Sequence, residues 1–294
     1  MPGAVRYFAC GTPYDGMACR QTLVTEYEAS GTASGWNGAE TEHGSHTMSF
    51  WSDLRVLYHL ALKPVRGASH QERLESFYAG QADSYDDFRR RLLQGRQDLY
   101  SSIPLPAQGT WVDMGGGTGA NLEYLSHRIG QLRQVHLVDL SPSLLQVAER
   151  RCRERGWTNV QTHCADATTF QPPEPVDVVT FSYSLTMIPD WFAAIDNGLA
   201  MLRPGGTLAV VDFYVARKYP SPGLRRHGWF TRNFWPVWFG NDNVFPSTDH
   251  LPYLQSRLET RELVELQARI PYLPLVRAPY YRFRGCKPSA TNDG

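Results

Sequence analysis

The stretch Asp113-Met114-Gly115-Gly116-Gly117-Thr118-Gly119 constrains this chain more than any other. It reads D-x-G-x-G-x-G, follows the apolar run Thr110-Trp111-Val112, and opens into a helix-compatible sequence at Thr118. Strand, glycine loop and helix in this order build a nucleoside pocket at the carboxyl end of the first strand of an open α/β sheet. Glycine serves there because the loop must turn with positive φ and let its backbone approach a ligand closely. A glycine-rich turn without a ligand is the plainer alternative, and the downstream sequence argues against it.

Beta and alpha patterns alternate after the loop. Strands are expected at 110–114, 134–139, 159–163, 176–182 and 207–213, with helices at 118–129, 142–155 and 190–202. Ser141-Pro142 supplies an N-cap and a first-turn proline, and Trp191, Ile195, Leu199 and Leu202 share one helical side. This rhythm predicts an α/β fold whose mostly parallel sheet has helices on both faces. A charged helix is expected near 256–269 and two short strands over 272–287.

The remaining segments differ in character. Residues 1–48 are rich in Gly, Ser, Thr, Ala and Glu without apolar periodicity, which predicts a disordered or loosely attached segment. Met48 is an alternative start, and His43 and His46 carry no metal-site pattern. Residues 49–106 read as a helical preface, with Leu54, Leu57, Tyr58 and Ala61 on one face and a capping-box pattern at Ser69-His70-Gln71-Glu72. Residues 107–294 form the sheet domain, interrupted by an aromatic insert at about 214–250.

Composition narrows the function classes. Lys+Arg and Asp+Glu are each 29, so the net charge is zero, and a globally basic nucleic-acid binder is disfavoured. The five cysteines lie far apart without a C-x-x-C pair, a pattern of free thiols rather than a disulfide framework or a zinc site. No apolar run approaches bilayer length and no charged n-region opens the chain, so a cytoplasmic protein is the expectation.

Two nucleoside cofactors compete for the loop. Gly115, Gly117 and Ala120 also satisfy G-x-G-x-x-A, which leaves a dinucleotide open. Three acids favour S-adenosylmethionine. Asp113, two residues before Gly115, suits a methionine ammonium, reached directly or through water, and would repel a pyrophosphate. Asp139 closes the second strand, where a carboxylate can accept from ribose hydroxyls. Asp166, in Cys164-Ala165-Asp166-Ala167, can accept from the adenine amine. Each acid has a plainer role: Asp139 could cap the next helix and Asp166 could hold a turn. Their joint placement at successive strand ends favours the cofactor. Gly119, Leu140, Ala167 and Ser182 complete the expected cofactor contacts.

With these motifs in this order, the chain resembles the class I S-adenosylmethionine-dependent methyltransferases over roughly 75–287, including Leu202-Arg203-Pro204-Gly205-Gly206 before the fifth strand. The resemblance implies a Rossmann-like, seven-stranded sheet. Leu74 through Arg89, Thr180 through Trp191 and Trp238 through Val244 are similar to the half of betaine-lipid synthases that methylates diacylglyceryl-homoserine to its trimethylated betaine. That resemblance implies N-methylation of a lipid made by a separate aminocarboxypropyl transferase. Tyr78 and Tyr85 would then fold over the cofactor.

Methyl transfer to an amine needs in-line alignment and an unprotonated nitrogen, and aromatic faces suit the quaternary product. Tyr183 lies where such enzymes bring the acceptor to the methyl, and His227 is a conceivable proton acceptor; the plainer role of either is packing. Arg225 through Phe239 joins cations to large aromatics, as a membrane-contact surface or as a lid packed on the core. Peripheral membrane association follows from the first. A soluble small molecule or quinone-like ring is the alternative acceptor, and a non-enzymatic scaffold for a lipid-synthesis partner the third reading.

Overall fold

The computed structural model describes residues 6–7, 91–240, 243–270 and 273–289. Its strands are β1 (Arg6–Tyr7), β2 (Thr110–Met114), β3 (Gln134–Asp139), β4 (Val160–Cys164), β5 (Val176–Ser182), β6 (Leu202–Phe213), β7 (Glu259–Ile270) and β8 (Leu273–Cys286). The α-helices are α1 (Arg96–Ser102), α2 (Pro142–Arg155), α3 (Trp191–Met201), α4 (Trp229–Gly240) and α5 (His250–Arg257). The helix-compatible run after the glycine loop forms a 3-10 helix over Ala120–Gln131, and a second short one spans Leu185–Met187.

All the strands join one sheet in the order β1-β7-β8-β6-β5-β2-β3-β4. The series β4-β3-β2-β5-β6 is parallel, while β8 runs antiparallel to both β6 and β7. The expectation of a mostly parallel, seven-stranded sheet is thus corrected to a mixed one, with the two-residue β1 as an eighth strand against β7. β2 and β5 are buried at every residue, as strands covered on both faces must be. One core cluster gathers Trp111, Leu122, Leu137 and Tyr100; the other gathers Phe181, Ile195, Val210 and Leu254.

Local chemistry explains several boundaries. Ser141 Oγ accepts from the Leu144 N–H at 3.4 Å, Pro142 occupies the first turn, and Gly156 closes α2 with φ 68°. The helix expected near 256–269 is absent: α5 ends at Arg257, Leu258 caps it, and the twelve residues from Glu259 are β7. The acids that suggested a charged helical face are satisfied across strands instead. Glu262 pairs with Arg282 and Arg284 of β8, each at 3.4 Å. Glu265 accepts from Tyr214 Oη at 2.7 Å and from the Arg225 N–H at 2.9 Å. The stretch expected as two short strands is the single long strand β8. The helical preface before residue 91, with Tyr78 and Tyr85, lies outside the described residues, as does the segment 1–48 apart from Arg6–Tyr7.

Candidate functional site

The carboxyl ends of β2, β3, β4 and β5 open onto a cavity of about 270 Å³. A crevice outside these strand ends is where open α/β sheets bind ligands. Gly115 and Gly117 form its floor. Gly115 has φ 68°, and a Cβ there would sit 2.5 Å from the Ser184 Cβ, so no side chain fits. Gly117, at φ 56°, has only distant neighbours, Leu144 at 3.8 Å and Asp139 at 4.0 Å, which leaves its backbone open to a ligand.

Asp139 and Asp166 both line this cavity, with Leu140 and Ala167 beside them. Asp139 also holds the surrounding backbone: Oδ2 accepts from the Gly117 N–H and Oδ1 from the Ser141 N–H, each at 2.9 Å. Its plainer role and its cavity position coexist in one side chain. Asp166 likewise fastens its own turn, Oδ1 accepting from the Thr168 N–H at 2.8 Å and from its hydroxyl at 2.7 Å.

Asp113 stands elsewhere. It is fully buried beneath the glycine loop and does not line the cavity. Oδ1 accepts from Tyr100 Oη at 2.7 Å and Thr180 Oγ1 at 2.6 Å, whereas Oδ2 has no hydrogen bond. Burial pushes its carboxyl up to about 6, against the hydroxyls that favour the anion. Asp113 thus lies outside the lining, where the expectation placed an ammonium contact, direct or through water. Gly119 and Ser182 also fall outside the lining. A Cβ on Gly119 would meet Leu137 at 3.1 Å, so this glycine lets the 3-10 helix pack on β3.

Tyr183 contributes a cavity wall from the end of β5. Its φ is 54°, its Oη donates to the Gln94 carbonyl at 2.6 Å, and its ring packs on Phe213 at 4.7 Å. Burial, with Tyr280 and Asp212 nearby, holds its hydroxyl well above the usual phenol range. The side chain thus offers an aromatic face, not a base. His227 is not among the residues that line the cavity. Its Nδ1 accepts from the Ala216 N–H at 3.0 Å, and burial lowers the ring to about 4. That nitrogen is committed to anchoring the insert at Ala216.

Sequence reasoning passed over several contributors. Ser184, Met187, Ile188 and Asp190 line the cavity after β5, inside a segment noted only for its resemblance. Tyr100, which secures Asp113, carried no motif signal. Asp212, at the end of β6, accepts from the Thr186 hydroxyl at 2.8 Å and its N–H at 3.1 Å, with its carboxyl raised by burial to about 7.

Three carboxylates, Asp139, Asp166 and Asp190, face this space, and no Lys, Arg or His does among the described residues. Such a lining repels a pyrophosphate and suits a cationic ligand with ribose hydroxyls. The open glycine floor, the paired acids at the ends of β3 and β4 and the net negative wall fit S-adenosylmethionine.

Comparison with known proteins agrees. A family described as a methyltransferase domain matches residues 112–206. The ubiquinone/menaquinone biosynthesis C-methyltransferase of Shewanella piezotolerans is 27% identical over 164 residues, 53% of this chain and 64% of that protein. Its Pseudomonas fluorescens counterpart is 29% identical over 169 residues, 55% of this chain and 66% of that protein. The chain therefore spans just under two thirds of the length of these curated relatives. Among solved structures, the phosphoethanolamine N-methyltransferase 2 of Haemonchus contortus, in complex with phosphomonomethylethanolamine and S-adenosylhomocysteine, has a TM-score of 0.59 at 14% identity, covering 76% of this chain and 61% of that one. The [4+2]-cyclase SpnF has a TM-score of 0.56 at 17% identity, covering 77% of this chain and all of that one. These structural likenesses establish the Rossmann-like fold and leave the reaction to the site. The family match over residues 112–206 is to a methyltransferase domain, in agreement with the cavity's chemistry.

Proposed function

We propose that this chain is an S-adenosylmethionine-dependent N-methyltransferase that converts diacylglyceryl-homoserine to its N,N,N-trimethyl betaine. The observation that carries the reading is the cavity's charge: three carboxylates and an aromatic wall, with no cation opposing them among the described residues. The cofactor supplies an activated methyl group for in-line displacement. In this reading Asp139 and Asp166, which line the cavity, accept from its ribose and adenine. The glycine floor lets the backbone close on it, with Asp113 buried and held by Tyr100 and Thr180 at the strand end before the loop.

Methylation moves positive charge from the cofactor to the acceptor nitrogen. The Asp190 carboxylate and the Tyr183 face stabilise charge at that end of the cavity. Burial under the insert would strip water from the amine and favour its unprotonated form. The homoserine lipid itself rests on the resemblance of Leu74 through Arg89, Thr180 through Trp191 and Trp238 through Val244, and an aminocarboxypropyl transferase would supply it.

A quinone-like ring is the second reading, favoured by the C-methyltransferases among the relatives and by the apolar side chains of Leu144, Met187 and Ile188 in the lining. Incubation with methyl-labelled cofactor separates the two. Diacylglyceryl-homoserine should yield mono-, di- and trimethyl products in succession, and a demethylated quinol should yield none. Label in the quinol alone, with cofactor binding intact, would overturn the lipid reading.

A further inference from the structure

Helix α4 is apolar on the side facing away from the core as well as on the side facing it. Trp235 and Phe239 are buried, and about half a turn of the wheel away Phe230 is 65% and Val237 74% exposed. Trp229 and Trp238 flank that outer face at 73% and 41%. Asn233, the polar residue among them, donates its side-chain amide to the Trp229 carbonyl at 2.7 Å and so gives the face little polarity. A surface helix of a soluble domain ordinarily turns polar residues outward, so this face is built to meet something apolar.

Charge identifies what it meets. Tyr214 through Gly240 contains Arg217, Lys218, Arg225, Arg226 and Arg232 and not one Asp or Glu, in a chain whose net charge is zero. Lys218, Arg225 and Arg226 are exposed in the segment that leads into this helix. Arg217 is paired with Asp249 at 2.7 Å, which leaves Lys218, Arg225 and Arg226 as the exposed cations of the approach to the helix. Tryptophans at the edges of an apolar stripe, with cations in the adjoining segment, match the layered chemistry of a bilayer surface carrying anionic headgroups.

The helix is also coupled to the cavity. Phe239 stacks on Phe213 at 4.6 Å, and Phe213 packs on Tyr183 of the cavity wall. Beyond the helix, the Phe245 N–H donates to the Thr186 carbonyl at 2.7 Å, next to Met187 of the lining, while its ring is 57% exposed. Exposed apolar side chains therefore continue from α4 to the cavity rim. We propose that α4 docks the protein on anionic membrane surfaces, lying in the headgroup layer through Trp229, Phe230, Val237 and Trp238. The inference deepens the lipid-acceptor reading, and because docking is read without methyl transfer the two fail separately.

The test is flotation of the full chain with vesicles of phosphatidylcholine alone and of phosphatidylcholine mixed with phosphatidylglycerol. Binding is expected to the mixed vesicles, weakened by salt. Phe230→Ser with Val237→Ser should reduce it roughly tenfold or more, and Arg225→Glu with Arg226→Glu by a similar factor. S-adenosylhomocysteine binding, measured by calorimetry, should be unchanged in both variants and shows that each is folded. Wild-type protein that stays off the mixed vesicles overturns the proposal. So does unaltered flotation of the double-serine variant. A dimer that the serine substitutions dissolve, without flotation, assigns the face to a second copy and overturns it equally.

Discussion

Tyr100 and Asp113 meet across 2.7 Å in the sealed space beneath the glycine loop, the phenol donating to a carboxylate that burial has made a weaker acid. The fold thus keeps an acid under the cofactor floor and hands it two hydroxyl donors, from Tyr100 and Thr180.

Tyr100→Phe removes one donor that favours the anion. The Asp113 carboxyl has a folded value of about 6, above its ordinary 3.8, so the folded state holds the proton more tightly and loses stability as pH rises through that window. The variant should lose about 1–3 kcal/mol of unfolding free energy where Asp113 is ionised, and less where it is protonated. Urea titrations at about pH 8 and about pH 5 compare the two. Equal losses would show that the phenol does not support the charge.

Gly115→Ala faces two obstacles, the φ of 68° and the Ser184 Cβ at 2.5 Å. Cofactor affinity should drop at least about tenfold, with about 1–3 kcal/mol of stability lost to backbone strain. Adding Ser184→Gly relieves the contact but not the dihedral angle. Calorimetry on the double variant should therefore show partial recovery; full recovery would mean that the left-handed conformation costs little.

Tyr183→Phe and Tyr183→Ala separate the hydroxyl from the ring. The hydroxyl is committed to the Gln94 carbonyl, so Tyr183→Phe should keep methyl-transfer turnover within about tenfold of wild type. Tyr183→Ala removes the cavity wall and should cost about a hundredfold or more. A phenylalanine variant as inactive as the alanine variant would restore the phenol as a participant in the chemistry.

His250 is fully buried with neither ring nitrogen hydrogen-bonded, its ring edge-on to Trp191 at 4.8 Å. Burial depresses its folded value from 6.5 to about 3. Below about pH 6.5 the unfolded chain takes up a proton that the folded chain refuses, so the stability this neutral ring sustains is lost as pH falls. His250→Leu should be neutral or mildly stabilising at neutral pH, and its unfolding midpoint should fall less steeply on acidification. A parallel pH dependence in the two proteins would place the acid sensitivity elsewhere.

The parts of the fold set by local pattern were legible. Ser141-Pro142 announces α2, and the runs at 110–114 and 176–182 announce strands buried on both faces. β7 was misread because its charges suit a helix until β8 is beside it; Arg282 and Arg284, some twenty residues on, give Glu262 its partners. At the site, the placement of Asp139 and Asp166 on the cavity was legible because strand ends converge on one crevice. The burial of Asp113 was not, because sequence reveals an acid beside the loop but not the direction its side chain takes. Tyr100 beneath it and Asp190 across the cavity come from elements whose packing no spacing rule encodes. His227 shows the reverse: a titratable side chain in a suggestive segment, spent on one backbone N–H.

The rings of Tyr183, Phe213, Phe239 and Trp235 touch in succession from the cavity wall to the inner side of α4, the first pair tilted and the other two stacked. Contacting side chains respond non-additively to substitution, so a smaller or larger ring at one of these four positions must be met by adjustment at the next. Diversification of the acceptor and diversification of the outward-facing helix are thereby tied into one evolutionary variable, and descendants of this chain that take a new acceptor must re-tailor both together.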